Sequence, residues 1–107
     1  MYVKAGSKRI KIKRLNKFPD RFKSFKFVLE PIDYGILIPK KKFVNTYMFC
    51  QRVDVCLTDK DDRIVALYEN LKSEKLKLKF KSYNVYYLPL NTVKHLKIDD
   101  LFYAKEK

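Results

Sequence analysis

Glycine occurs only twice, at Gly6 and Gly35, so no glycine-rich loop able to cradle a phosphate can form. Histidine occurs once, at His95, which leaves a serine–histidine or histidine–metal constellation with at most one member. The two cysteines, Cys50 and Cys56, do not form a CxxC redox or zinc motif. Extended chain holds them about 20 Å apart, which favours two buried reduced thiols; a hairpin at Gln51-Arg52 is the alternative that could pair them. No apolar run approaches the ~20 residues needed to span a bilayer. Residues 1–17 carry seven basic residues and no apolar centre, so a signal peptide is not expected and the cytoplasm is the expected location.

Acidic residues are also scarce, with 12 against 25 Lys and Arg and a net charge of +13. The imbalance is concentrated in residues 1–42, which hold thirteen basic and three acidic side chains, whereas residues 43–72 hold four and five. Such a surface attracts polyanions through a field that salt weakens. Twenty of the basic residues are Lys, however, and specific phosphate recognition more often recruits the planar fork of Arg.

What is abundant is apolar. Hydrophobic residues make up 47% of the chain and Phe and Tyr together number sixteen, which argues against disorder despite 35% charged residues. At 107 residues the chain fits a single domain that removes roughly two thirds of its unfolded surface from water.

The organising stretch is 43–69. Val53, Val55 and Leu57 alternate with Asp54, Cys56 and Thr58, the period of a strand with one buried face. Asp59-Lys60-Asp61-Asp62 is a turn, because Asp side chains bond nearby backbone N–H groups. A β-branched, aromatic-tipped strand resumes over 64–68. Upstream, Phe43, Val44, Tyr47, Met48 and Phe49 put apolar groups on both sides, the mark of a central, doubly covered strand. Gln51-Arg52 breaks the alternation and suits a bulge or tight turn.

Elsewhere, residues 1–5 form a short strand ended by Gly6-Ser7. In the segment 9–15, Ile10 and Ile12 face one way and Arg9, Lys11 and Lys13 the other, as in a Lys-studded edge strand. Phe18, Phe22, Phe25 and Leu29 share one helical face, predicting a short helix over 19–28 that Pro31 stops. Strands follow over 35–38, over 75–81, where Leu76, Leu78 and Phe80 face inward, and over 84–90, where Pro89 restricts the strand to an edge or a strand end. Asn91 or Thr92 caps one helical turn, Asp99-Asp100 makes a turn, and 101–104 closes the sheet.

The acidic turn is not a calcium loop, since Ile64 stands where Gly is required and Asn70 where Glu is required. Catalysis by Asp54 would need a second ionisable group nearby, and the sequence shows none. No cofactor is expected, and an enzyme is the less favoured reading.

In order and spacing, Gly35-Ile36-Leu37-Ile38, Asn45-Thr46, Asp54, Leu57-Thr58-Asp59, Ile64-Val65, the segment 85–89 and Asp99-Asp100 resemble the uncharacterised bacterial and archaeal family called domain of unknown function 192. The resemblance covers roughly residues 18–103. It departs from the family pattern at Phe49, Arg52, Tyr87 and Asp99, where Met, Pro, Glu and Gly are usual. The resemblance implies a small, mainly antiparallel β-sandwich of jelly-roll type with one short helix, and no activity, substrate or cofactor.

The expected function is therefore a cytoplasmic binding module for a protein partner or small ligand, with Asn45, Thr46 and Asp54 lining a polar recess among apolar strands. The alternative is nucleic-acid binding through Lys11, Lys13, Lys40, Lys41, Lys42, Lys77 and Lys79, with Tyr86 or Tyr87 as stacking surfaces. Two adjacent Lys-faced strands would make a continuous basic wall.

Overall fold

The structure, a computed structural model, describes residues 1–6, 8–14, 34–39, 43–45, 52–72, 76–78 and 81–105; for Lys8, Lys13, Arg14, Phe43, Asn45, Leu76 and Leu78 it describes the backbone alone. Among these residues the chain is mainly β. Its strands are β1 (Tyr2–Ala5), β2 (Lys8–Arg14), β3 (Tyr34–Pro39), β4 (Phe43–Asn45), β5 (Val53–Thr58), β6 (Ile64–Leu71), β7 (Leu76–Leu78) and β8 (Asn84–Leu88). One 3-10 turn, Val93–His95, follows. The helix predicted over 19–28 lies outside the described residues.

Six strands form one sheet in the order β1-β2-β3-β8-β5-β6. All neighbours are antiparallel except β2 and β3, which run parallel. The short strands β4 and β7 pair with each other in a second sheet. Two expectations are corrected here. Strand β2 is not an edge strand: it lies between β1 and β3, with Arg9 and Lys11 exposed on its outward face. The strand beginning at Phe43 is not the central one: β4 stands outside the main sheet, and 46–51 lie outside the described residues.

Strand β5 is doubly covered, with all six of its residues buried. Its alternation separates two apolar clusters rather than a core from solvent, and β3 and β8 likewise contribute to both clusters. On one face, Leu37, Tyr86, Cys56 and Leu67 stand in register across β3, β8, β5 and β6. They pack with Val3, Ile10, Ile12, Ile64 and Leu88. On the other face, Ile36, Tyr87, Val55 and Tyr68 form a parallel row, joined by Ile38, Val85, Leu57 and Ala66. Val44 of β4 belongs to this second cluster, so the small sheet contributes to its cover.

The segment 99–105 ties the two edges of the main sheet together. Tyr2 and Lys105 exchange backbone hydrogen bonds of 2.8 and 2.7 Å, and Ile64 exchanges bonds of 2.9 Å with Asp100 and Asp99. Phe102 turns inward from this strap and meets Tyr86 edge-on, with ring centroids 4.8 Å apart. The sheet thereby curls around the first cluster, with both edges partly occupied.

Gly35 is required where β2 and β3 meet. A Cβ there would stand 2.6 Å from Ile12 Cδ1 and 2.9 Å from Leu88 Cδ2, so the missing side chain is the space in which those two core residues pack.

Candidate functional site

Asp54 stands on the face of β5 shared with Cys56 and Thr58, and it is fully buried. Opposite it, β6 carries an extra residue. Val53 pairs with Leu71 and Val55 with Tyr68, so Glu69 and Asn70 together oppose Asp54 alone. Asn70 adopts a left-handed backbone, φ 55°, and its N–H donates to Asp54 Oδ1 at 2.9 Å. On the other side β8 ends at Leu88, and the turn through Pro89, Leu90 and Asn91 leads into the 3-10 turn. Asn91 is also left-handed, φ 67°. The Thr92 and Val93 N–H groups donate to Asp54 Oδ2 at 2.8 and 3.0 Å. Thr92 does not cap this turn with its side chain; its hydroxyl donates to Pro89 O at 2.7 Å. The cap is supplied from a different strand, by Asp54.

One carboxylate thus holds two separate backbone segments. Between them opens a recess of about 420 Å³, lined by Asp54, Glu69, Asn70, Leu90 and Asn91. Leu90 is 44% exposed at its rim. Asn is one of the few side chains that tolerates the left-handed region, so asparagines at 70 and 91 let the chain turn sharply on both walls. Hydrogen bonds to a buried charge are strong, and leaving the donors unpaired would cost about 1–3 kcal/mol each. The recess walls are therefore fixed before any ligand arrives.

The turn 59–63 is also built by an aspartate. Asp59 Oδ1 accepts from the Asp61 and Arg63 N–H groups at 2.9 and 3.1 Å. Asp62, left-handed at φ 63°, has its carboxyl pushed above the usual carboxylate range by partial burial and then by Asp59 and Asp61. Cys56 is a free, buried thiol whose pKa is pushed well up by desolvation. Among the described residues, no group of three or more His, Cys, Asp or Glu is placed to hold a metal ion.

The residues read as a site from the sequence are distributed as follows. Asp54 is at the recess. Asn45 lies on β4, which pairs with β7 and not with β5, and Thr46 lies outside the described residues. Glu69, Asn70 and Asn91 were not anticipated as lining; asparagines at the ends of two apolar strands were the only sign.

Of the basic set, Lys11 is exposed on β2, the backbone of Lys13 lies on the same strand, and Lys77 is half-buried with Nζ 6.0 Å from the Tyr68 ring centroid. Lys40, Lys41, Lys42 and Lys79 lie outside the described residues. Strands β2 and β7 belong to different sheets, so they do not form the adjoining Lys-faced pair considered above. Tyr86 and Tyr87 are each 1% exposed and cannot serve as stacking surfaces; both are core residues.

Comparison with known proteins yields fold alone. No family model matches the chain, and no curated protein matches it. Two solved structures resemble it closely in shape. A protein of unknown function from Novosphingobium aromaticivorans DSM 12444 superposes with a TM-score of 0.78 at 14% identity, covering 96% of this chain and 82% of its own. A protein described as a candidate transcription regulator from Sinorhizobium meliloti 1021 gives 0.77 at 14% identity, with 95% and 89% covered.

Proposed function

We propose that this chain is a non-enzymatic binding module that receives a small ligand in the recess floored by Asp54. The observation that carries this reading is the double duty of one buried carboxylate, whose two oxygens hold the two opposite walls. A preformed concavity with a few fixed polar groups and one apolar rim residue is the usual form of a small-molecule site, and rigid walls reduce the ordering cost of binding. Glu69 and the two asparagines suit a ligand that offers an amino or amide N–H group. Asp54 itself is saturated and buried, so it acts by holding the walls.

The same proposal places the module in the cytoplasm and reads it as a divergent relative of the domain of unknown function 192 family. The β4–β7 sheet would be part of the second layer of a jelly-roll-type sandwich. Spermidine and an amino acid amide, titrated into 15N-labelled protein, test the site. Saturable shifts confined to Glu69, Asn70, Leu90 and Asn91, lost on Glu69→Gln, are expected; no shift at these residues with either probe would refute the reading.

A further inference from the structure

We infer that the outer face of β1, β2 and the C-terminal strap is a docking surface for single-stranded nucleic acid. This inference is independent of the recess and uses residues on the opposite side of the β1–β2 ribbon from Val3, Ala5, Ile10 and Ile12, which point into the core.

Register places the residues. Lys105 of the strap pairs with Tyr2, Tyr2 pairs with Lys11, and Lys11 pairs with Tyr34 of β3. Directly paired residues share a face, so cation, aromatic, cation and aromatic alternate across four neighbouring backbones, the last of them, Tyr34, half-buried where the row meets the second cluster. At the usual inter-strand spacing of about 4.8 Å the row runs about 14 Å. Lys4 pairs with Arg9 on the same face, two residues along from Tyr2 and Lys11. The strap adds Tyr103, 44% exposed, and Leu101, 58% exposed, while Phe102 turns into the core, as the period of two requires.

The aromatic groups and cations are already organised as stacks. The Arg9 guanidinium lies over the Tyr2 ring, 4.0 Å from its centroid, and Lys105 Nζ lies 5.5 Å from the Tyr103 centroid. A shallow depression of about 250 Å³ runs beside them, lined by Lys4, Leu101, Phe102, Tyr103 and Lys105. No acidic residue occurs in Tyr2–Ala5, Lys8–Arg14, Tyr34–Pro39 or 101–105, so nothing within these segments neutralises the cations.

Sequence-tolerant recognition of single strands combines cations that track the phosphates with aromatic faces on which bases stack. This face supplies both in alternation and presents them on a sheet, the geometry of an open platform rather than a groove reader. A duplex would need a protruding element to enter its grooves, and among the described residues the sheet face offers none.

The test is fluorescence anisotropy of a short labelled oligouridylate with the full chain across a salt series. Salt-sensitive binding is expected. The double variant Arg9→Gln/Lys11→Gln, both exposed positions, should lower the slope of log K against log salt by about 1.4, since each phosphate contact to a single strand contributes about 0.7. Tyr103→Ala should weaken binding at least about fivefold through lost stacking. Lys60→Gln/Lys94→Gln, which removes the same charge elsewhere, should leave the slope unchanged, and circular dichroism should be the same for every variant. Absence of binding at low salt would overturn the inference. So would an Arg9→Gln/Lys11→Gln slope equal to that of the off-face control, or tighter binding to phosphatidylserine vesicles than to the oligonucleotide.

Discussion

Replacing Gly35 with alanine should destabilise the fold through one identifiable collision. The added Cβ would lie 2.6 Å from Ile12 Cδ1, 2.9 Å from Leu88 Cδ2 and 3.1 Å from the Tyr87 carbonyl oxygen. The two methyl groups must move, and they do so inside a packed cluster where Ile12 is 4% exposed and Leu88 is fully buried. Overpacking of this kind costs about 1–3 kcal/mol, and the lower backbone entropy of alanine in a strand returns about 0.5–1 kcal/mol. A net loss of about 0–2.5 kcal/mol, centred near 1, is expected, read as a lowered urea midpoint with unchanged m. The cause can be isolated. Ile12→Val deletes the clashing Cδ1 and by itself costs about 0.5–1.5 kcal/mol. In that background Gly35→Ala should cost less than it does alone, giving a coupling of at least about 0.5 kcal/mol. Simple additivity would refute the claim that Gly35 exists to admit Ile12 and Leu88.

Two further outcomes concern titrating groups. In a Cys50→Ser variant the remaining thiol, Cys56, should be inert to an aromatic disulfide reagent in the native protein and react fully in urea. Because burial raises its folded pKa, stability should be complete below the ordinary thiol range near about 8.5 and decline as pH rises above it; native-state labelling or a flat alkaline profile would contradict this. Asp62 has the same sign lower on the scale: its folded pKa is raised, so its contribution is intact below the ordinary carboxylate range and is lost as pH rises through the folded value. Asp62→Asn, which keeps a residue suited to φ 63°, should therefore be slightly more stable than the parent at neutral pH and lose that advantage in acid.

The hairpin of β5 and β6 was legible because its alternation and its aspartate turn are both local signals. The segment 101–104 was expected to close the sheet, and it does so through isolated bridges at Leu101 and Lys105 rather than as a strand. The place of β2 was not legible, because a strand with one wet face reads the same at an edge and inside a sheet whose outer face is open. Its parallel partner β3 lies beyond residues 15–33, and nothing in either strand encodes that pairing. Asp54 stood out as a charge among Val53, Val55 and Leu57, which marked it as needing a hydrogen-bonding reason. Its partners could not be read, because all three are backbone N–H groups and carry no side-chain signature. Asn91 was visible only as a candidate helix cap and Asn70 carried no signal; that both are left-handed and flank the same carboxylate is a consequence of the β5–β6 and β5–β8 registers, which appear only in three dimensions.

The central claim is that a single carboxylate fixes both walls of the recess, and amide hydrogen exchange in Asp54→Asn tests it most directly. The amide replacement keeps one accepting oxygen and turns an NH2 group to the other side, so at least one wall, the Asn70 amide or the Thr92 and Val93 amides, should exchange faster than in the parent. Tyr86, whose strand is held by β3 and β5 on either side, should keep most of its protection. The stability loss should be about 2–4 kcal/mol, the cost of leaving one or two buried donors poorly paired. Unchanged exchange at all three amides would contradict the account.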